Sequence, residues 1–423
     1  MASRAWWVFL AMMGPLVGVS FISAVRTYAE LSGYGGTVDG VGAAFSPLVG
    51  VWAPTFSACE LAAAFLLPFV AIRVVAGDRQ SGASKLELQH SMPALARVLA
   101  KTIVLAAGWT IATLPALIAV MLWRFYGGSI YPPELGAVLL GHMLNALLTI
   151  AVASAAAALT SHPSTAAIVT LSVTVGTWIL SFIAAVQGGI WERAAGYTPT
   201  AMVAEFQHGL VRADVLAITV ALTALGLAVA AIWMRVGFTA RRRTLESLGA
   251  AAVAAVVIAA ASTLNVSADL SENRMNSFPR GVEQALAGIP APLHIRAHLA
   301  PEDPRRTELE RKTFSKLRRA MSRVDVSYVS QTTTGLFEQG NPHYGEIEYE
   351  LADHHAVNYK VTSAGVLDTI YELARIEAPD ETDEYDFRGH PLRAPPTGAP
   401  SVFYVIWPAA TVAAILLFRR RGT

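Results

Sequence analysis

The chain reads as a polytopic α-helical membrane protein of about eight transmembrane helices with a small extracytoplasmic α/β domain. Three observations predict this. Of 423 residues, 54% are hydrophobic and only 15% charged, with a mean hydropathy of +0.45, against about 25% charged in an average soluble domain. Eight apolar runs approach the ~20 residues needed to cross a bilayer. Between the last two lies a stretch of about 130 residues with a different texture, long enough for one small core.

The spans are expected near Trp6–Val25, Leu48–Val74, Val98–Trp123, Leu135–Leu159, Thr165–Gln187, Val215–Arg235, Leu245–Val266 and Val402–Phe418. The first follows a single Arg4 and is expected to remain uncleaved, because no small-residue cleavage site ends it. The fourth and fifth form a tight hairpin around Thr160–Ser164, and the seventh is rich in alanine. Cys59, the single cysteine, lies inside an apolar run, so no disulfide within a chain is possible. Orientation follows from Lys and Arg in the short loops. With the N-terminus inside, the inner set is Arg4, Arg73, Arg79, Lys85, Arg97, Lys101, Arg235, Arg241, Arg242, Arg243 and Arg419–Arg421. The outer short loops hold only Arg26, Arg124, Arg193 and Arg212. Both termini are therefore expected in the cytoplasm of a multi-pass cell-membrane protein, with residues 267–400 extracytoplasmic.

Within that segment, Leu293, Ile295, Ala297 and Leu299 alternate with His294, Arg296 and His298, the period of a strand with one face buried. Leu309, Thr313, Leu317, Ala320 and Val324 recur at helical spacing, with Arg and Lys on the other face. A second strand is expected over Val324–Tyr328. Runs at Ile347–Leu351 and Val357–Val361, flanking Asp353, His354 and His355, read as a hairpin. Val366, Ile370 and Leu373 suggest a closing helix. The acidic 377–386 and proline-rich 391–400 segments are expected to be a linker back to the membrane.

One polar interruption stands out, AGDRQSGASKLELQHSMPALARVLAK at 76–101. Charge is costly in hydrocarbon, so this segment faces water or lies at the interface. Asp78, Arg79 and Gly82 are followed by a short helix-prone stretch carrying Leu86, Leu88 and Met92, then Pro93, Arg97 and Lys101. That order resembles the cytoplasmic loop of ABC-2 type transport permeases. The segment from Thr198 and Pro199 through Phe206, Gly209, Leu210, Val211, Arg212 and Asp214 is similar to the family's short outer segment before its sixth span. Residues Asp269, Leu270, Ser271, Asn276, Ser277, Phe278 and Pro279, then Ile289–Ile295, resemble the extracytoplasmic protein that accompanies such permeases in gliding-motility-type systems. Phe278–Pro279 replaces the usual Leu-Ser, and Leu293 the usual valine. The resemblance implies a six-span permease core over 1–240, a seventh helix over 241–266, an α/β domain with linker over 267–400, and a C-terminal helix with a basic tail over 401–423. It also implies a permease subunit, an exporter, powered by a separate ABC ATPase docking on 76–101, and paired with a second permease copy or related chain. The rival is a non-transporting membrane anchor or assembly component of a cell-surface or motility machine.

The chain holds no Gly-x-x-x-x-Gly-Lys-[Ser/Thr] loop, so it is not expected to be an enzyme by itself or to hold a cofactor, ATP being bound by the partner. Glu60 is a pathway candidate, because intramembrane carboxylates usually face a cavity or a partner; the alternative is a place near the outer interface. His142 and Asn145, three residues apart, share a helix face and either line the pathway or bond helices together. The histidines beyond residue 290 match no metal-ligand spacing, and no metal is expected. The arginine- and lysine-rich helix face reads as solvated, with contact to an anionic lipid or polymer as the alternative. No catalytic triad or carboxylate pair stands out. The partners expected are the bilayer, the ATPase and a second permease, and no nucleic acid.

Overall fold

The protein is described by a computed structural model over residues 4–34, 46–80, 92–187, 190–301, 303–329, 343–379, 387 and 389–421. Among the described residues, eight helices are long and apolar enough to cross a membrane: Arg4–Ser32, Leu48–Gly77, Ala94–Phe125, Pro132–Leu159, Pro163–Ala184, Ala213–Trp233, Ala240–Ala261 and Ala399–Phe418. The chain is thus a multi-pass helical membrane protein carrying a small sheet-bearing domain. It divides into two compact units, one of Met1–Ile179, Gly196–Glu272 and Arg388–Thr423, the other of Leu180–Ala195 and Asn273–Phe387.

In the first unit the breaks in the spans follow from proline. Helices Ala53–Phe65 and Leu67–Gln80 meet at Leu66, where Pro68 has no N–H to offer the carbonyl four residues back. The third span breaks at Thr113 for the same reason, with Pro115 beyond it. There the Thr113 hydroxyl donates to the Thr110 carbonyl at 2.9 Å, so a polar group near the break finds a partner within the helix, as a lipid environment requires. The first and eighth spans pack through small residues one turn apart. A Cβ on Gly18 would lie 2.5 Å from that of Phe403, and Trp407 Nε1 donates to the Leu10 carbonyl at 2.8 Å. Gly14 and Gly18 make the spacing that lets membrane helices approach closely.

The seventh span starts at Ala240, earlier than the expected Leu245. Thr239 caps it, and Arg242 in its first turn reaches Glu246 at 3.0 Å and stacks on Phe238, 3.9 Å from the ring centre. Charged residues held this way extend the helix beyond its apolar stretch.

The second unit is a four-stranded sheet ordered β4-β3-β5-β6: β3 Leu293–Ala297, β4 Val324–Tyr328, β5 Ile347–Leu351 and β6 His354–Asn358. β3 and β4 run parallel, joined by the helical stretch 304–320 as crossover; the other pairs are antiparallel. Leu293, Ile295 and Ala297 of β3 are buried with Ile347, Tyr349 and Leu351 of β5 against helices carrying Val282, Leu286, Leu309, Phe314, Leu317, Val366 and Ile370. One face of the sheet is the core; His294, Arg296 and Glu348 belong to the other.

Two expectations need correcting. β6 begins at His354, so His354 and His355 are strand residues: Leu351 pairs with His354 across a two-residue turn, Ala352–Asp353, with Ala352 at φ +53°. The expected strand at Val357–Val361 overlooked how little chain a hairpin needs. The proline-rich return segment is likewise no free linker over its described residues. Leu392 is buried, and its N–H donates to Ser32 Oγ at 3.0 Å. Tyr126 Oη donates to the Thr397 carbonyl at 2.8 Å.

The basic face of the crossover is largely committed within the domain. Arg318 pairs with Glu310, Lys312 with Glu308, and Arg319 and Lys316 donate to the backbone carbonyls of Asn276 and Ser277. Arg306 is buried over the Tyr328 ring, 3.8 Å from its centre. Asp303 caps the Pro304–Leu309 helix, accepting from the Arg305 N–H at 2.9 Å, from its guanidinium at 2.8 Å and from Tyr344 Oη at 2.8 Å. Burial works to raise the Asp303 pKa, but the bonds from Arg305 and Tyr344 outweigh it and hold the carboxyl below its ordinary value. A depressed carboxylate pKa adds stability above the unfolded value, near 4, that is lost as the pH falls through the folded value. Asp303→Asn keeps the cap but removes the charge. It is expected to lower the stability of this unit by about 1–3 kcal/mol near neutral pH and to flatten its acid limb below about pH 4. Amide exchange of β3 in the full chain, followed against pH, measures both.

Candidate functional site

The polar features of the first unit gather at the end of its helices away from Arg97 and Arg242. Before the sixth span a short helix, Pro199–Gln207, is capped by Thr198 Oγ1 accepting from the Ala201 N–H at 3.3 Å. Its apolar side, Met202, Val203 and Phe206, is buried with Leu144 and Val215. Phe206 crosses the fourth span at Gly141, where a Cβ would lie 2.5 Å from the Phe206 Cβ. Only glycine permits that approach.

After this helix the chain turns at Gly209, at φ +76°, a conformation that side-chain-bearing residues resist. It continues as β1, Leu210–Arg212, which pairs antiparallel with β2, Ser267–Asp269, beyond the seventh span. Two backbone bonds extend the join: Leu270 N–H to the Gly209 carbonyl at 2.8 Å, and Ala213 N–H to the Val266 carbonyl at 2.9 Å. Arg212 holds Asp214 at 2.5 Å and Glu205 at 2.8 Å. Burial opposes the charge on Arg212, but the hydrogen bonds and charges of Asp214 and Glu205 prevail and raise its pKa above the usual arginine value. The segments 198–214 and 269–271, singled out separately in the sequence, are thus partners across one small ribbon. Nothing in either alone signals the pairing.

A second knot lies alongside. The Glu134 carboxylate, in the first turn of the fourth span, accepts the Glu272 N–H at 2.6 Å. His390 Nε2 meets the Glu272 carboxylate at 2.9 Å, and Tyr28 Oη donates to the His390 carbonyl at 2.8 Å. Glu272 and His390 stand where the chain leaves the first unit and where it has returned, so both passages are fastened at one place. Glu134 is buried. It lies just before the expected start of the fourth span at Leu135, in the first turn of the observed helix.

Glu60 is half-buried, with a side-chain hydrogen bond to Trp178. His142 and Asn145 lie buried on the fourth span, and His142 Nε2 lies 3.2 Å from Gln207 Nε2 at the end of the short helix. An amide nitrogen only donates, so the imidazole Nε2 accepts and the proton sits on Nδ1. That Nδ1 is buried and has no partner among the described residues. The His142 ring also lies 5.5 Å from that of Phe56. The position of His142 at the foot of the short helix, unlike its helix face, was not readable from spacing.

Of the loop residues, Asp78 and Arg79 fall in the helix Leu67–Gln80, but their side chains lie outside the described residues, as do Gly82, Leu86 and Leu88 entirely. Met92 and Pro93 are exposed, and Pro93 caps the helix that starts at Ala94. In the second unit, His298 pairs with Glu348 at 3.0 Å and His343 with Glu346 at 2.8 Å. Among the described residues no group of three or more His, Cys, Asp or Glu is arranged to hold a metal.

Two glycines test the geometry. Gly141→Leu is expected to displace the Pro199–Gln207 helix, costing about 1–3 kcal/mol as overpacking does. Gly209→Ala is expected to cost about 1–3 kcal/mol through its positive φ, because its Cβ would also stand 3.0 Å from the Ser271 nitrogen. Thermal unfolding of the purified chain, with amide exchange at 201–212, reads both. Unchanged exchange there in either variant contradicts the arrangement.

No family model, curated protein or solved structure matches this chain, so the reading of its function rests on its own residues and geometry.

Proposed function

We propose that the chain is the permease subunit of an ABC-2 type exporter, driven by a separate ABC ATPase that docks on the loop at 76–101. In this reading both termini and that loop are cytoplasmic and residues 267–400 are extracytoplasmic. The observation that carries it is the helix Pro199–Gln207, packed on the fourth span through Phe206 and Gly141 immediately before the sixth span. A short amphipathic helix at a membrane face, leading into a span, is suited to act as a gate or lid. The basic residues support the orientation: Arg73, Arg97, Arg235 and Arg242 stand at one set of helix ends, as the positive-inside rule expects of the cytoplasmic side.

Mechanistically, closure of the partner ATPases pushes on the loop and shifts the spans between inward- and outward-facing arrangements. His142 links the fourth span to the gate helix through Gln207 and, with Asn145 and Glu60, contributes polar groups to the pathway. Because six spans form half a pathway, a second permease copy or related chain completes it in the bilayer. A second reading, a non-transporting anchor of a cell-surface machine, draws on the separate compact unit at Asn273–Phe387.

The test is co-purification of the tagged chain from its native membrane in mild detergent, with mass spectrometry of what accompanies it. The expected result is an ATPase bearing a phosphate-binding loop, lost when 78–93 is scrambled. Absence of any ATPase across several detergents contradicts the transporter reading and favours the anchor.

A further inference from the structure

At the arginine-bearing helix ends, the first, second and fifth spans enclose a cleft of about 590 Å³ that includes Ala5, Phe69, Ile72, Arg73, Ser164 and Ala167 in its lining. That volume is within the usual range of ligand pockets. Its depth is set by helix geometry. The second span ends at Gly77 and the fifth starts at Pro163, and both residues line the cleft. Phe69 lies eight residues before Gly77, about 12 Å along the axis at 1.5 Å per residue. The floor is therefore at hydrocarbon depth, while the mouth opens where the spans end.

The chemistry divides the same way. Phe69, Ile72, Ala5 and Ala167 offer apolar wall, and Phe69 leaves 48% of its surface open. Arg73 supplies one cation, and among the described residues it has no carboxylate partner. Its long stem lets the guanidinium reach from an apolar wall to the interface. The other charges described at these helix ends add to the positive field: Arg4, Arg97, Lys101, Arg235, Arg241, Arg242 and Arg243, with Glu246 already held by Arg235 and Arg242. A guanidinium above an apolar slot suits an amphiphile with an anionic head. A free phosphate would use the arginine and waste the walls. A polypeptide docking from water would stop at the rim.

We propose that this cleft holds one anionic phospholipid, its phosphate on Arg73 and an acyl chain along Phe69, Ile72 and Ala167. The site is independent of the transporter reading.

The test is native mass spectrometry of the purified full chain in nonionic detergent, titrated with phosphatidylglycerol, phosphatidylcholine or inorganic phosphate. Phosphatidylglycerol is expected to bind at least about fivefold more tightly than phosphatidylcholine, one charge near a membrane surface giving a preference of that size. Arg73→Gln is expected to abolish the preference and Arg73→Lys to retain most of it. Ala167→Trp, which fills the slot, is expected to lose the lipid with the head site intact. The proposal is overturned if Arg73→Gln keeps the preference, if millimolar phosphate displaces the lipid, or if folded Ala167→Trp binds as the parent does. Should Ala167→Trp fail to fold, the two Arg73 variants decide the matter.

Discussion

A chain that meets lipid must satisfy its backbone polar groups internally, and this constraint bears hardest where spans begin and end. The join of Leu210–Arg212 to Ser267–Asp269 is the answer at one such place. It pairs the strand that feeds the sixth span with the one that leaves the seventh. The short helix Pro199–Gln207 is fixed on one side by this ribbon and on the other by Phe206 over Gly141. Removing the ribbon would leave the helix held by its apolar face and the Gln207–His142 contact, and Arg212 without a fixed place between Glu205 and Asp214.

The same constraint shapes the rest of the first unit. Tyr28, Ser32, Glu134 and Tyr126 each meet a backbone group of chain that lies outside the spans: the carbonyls of His390 and Thr397 and the N–H groups of Leu392 and Glu272. These are long-range bonds, so the return segment at 389–398 is part of the unit's surface and not slack between two bodies. A change at 389–398 and a change at the short helix are felt through common chain, because Glu272, which meets His390, follows the ribbon by three residues. The second unit depends on a different principle, a sheet with one face packed on helices and its own ion pairs around the crossover.

Much of this was legible in the sequence, and the exceptions have physical causes. Span number follows from hydrophobic length alone, which is why all eight were found with ends displaced by a few residues. β3, with Leu293, Ile295 and Ala297 against His294 and Arg296, was legible because a one-sided sheet writes its burial as alternation. His354 and His355 were misplaced because two adjacent polar residues at the start of a strand look like a turn, although they point to opposite faces. Gly14 and Gly18 show a small-residue spacing that could have been noticed, and it locates the pairing of the first and eighth spans. The ribbon, the Glu134–Glu272–His390 knot and the meeting of His142 with Gln207 were not legible. Each joins residues 55 to 138 positions apart, and no local pattern encodes such a choice. The middle of the loop at 76–101, the most informative stretch of sequence, lies outside the described residues over 81–91, so its part in the account comes from sequence alone.

The central structural claim is that the segment 199–212 before the sixth span and the chain beyond the seventh span are one piece in a fixed register. Cysteine cross-linking in native membranes tests this directly, because Cys59 is buried and is the chain's only cysteine. Val211 and Ala268 are register partners, and facing residues of an antiparallel pair lie within disulfide reach. The account predicts that Val211→Cys with Ala268→Cys forms an intramolecular disulfide under mild oxidation, seen by mass spectrometry of the digest. Val211→Cys with Asp269→Cys, slipped by one residue onto the opposite face, should form little. Equal yields from both pairs, or none from the first, would contradict it.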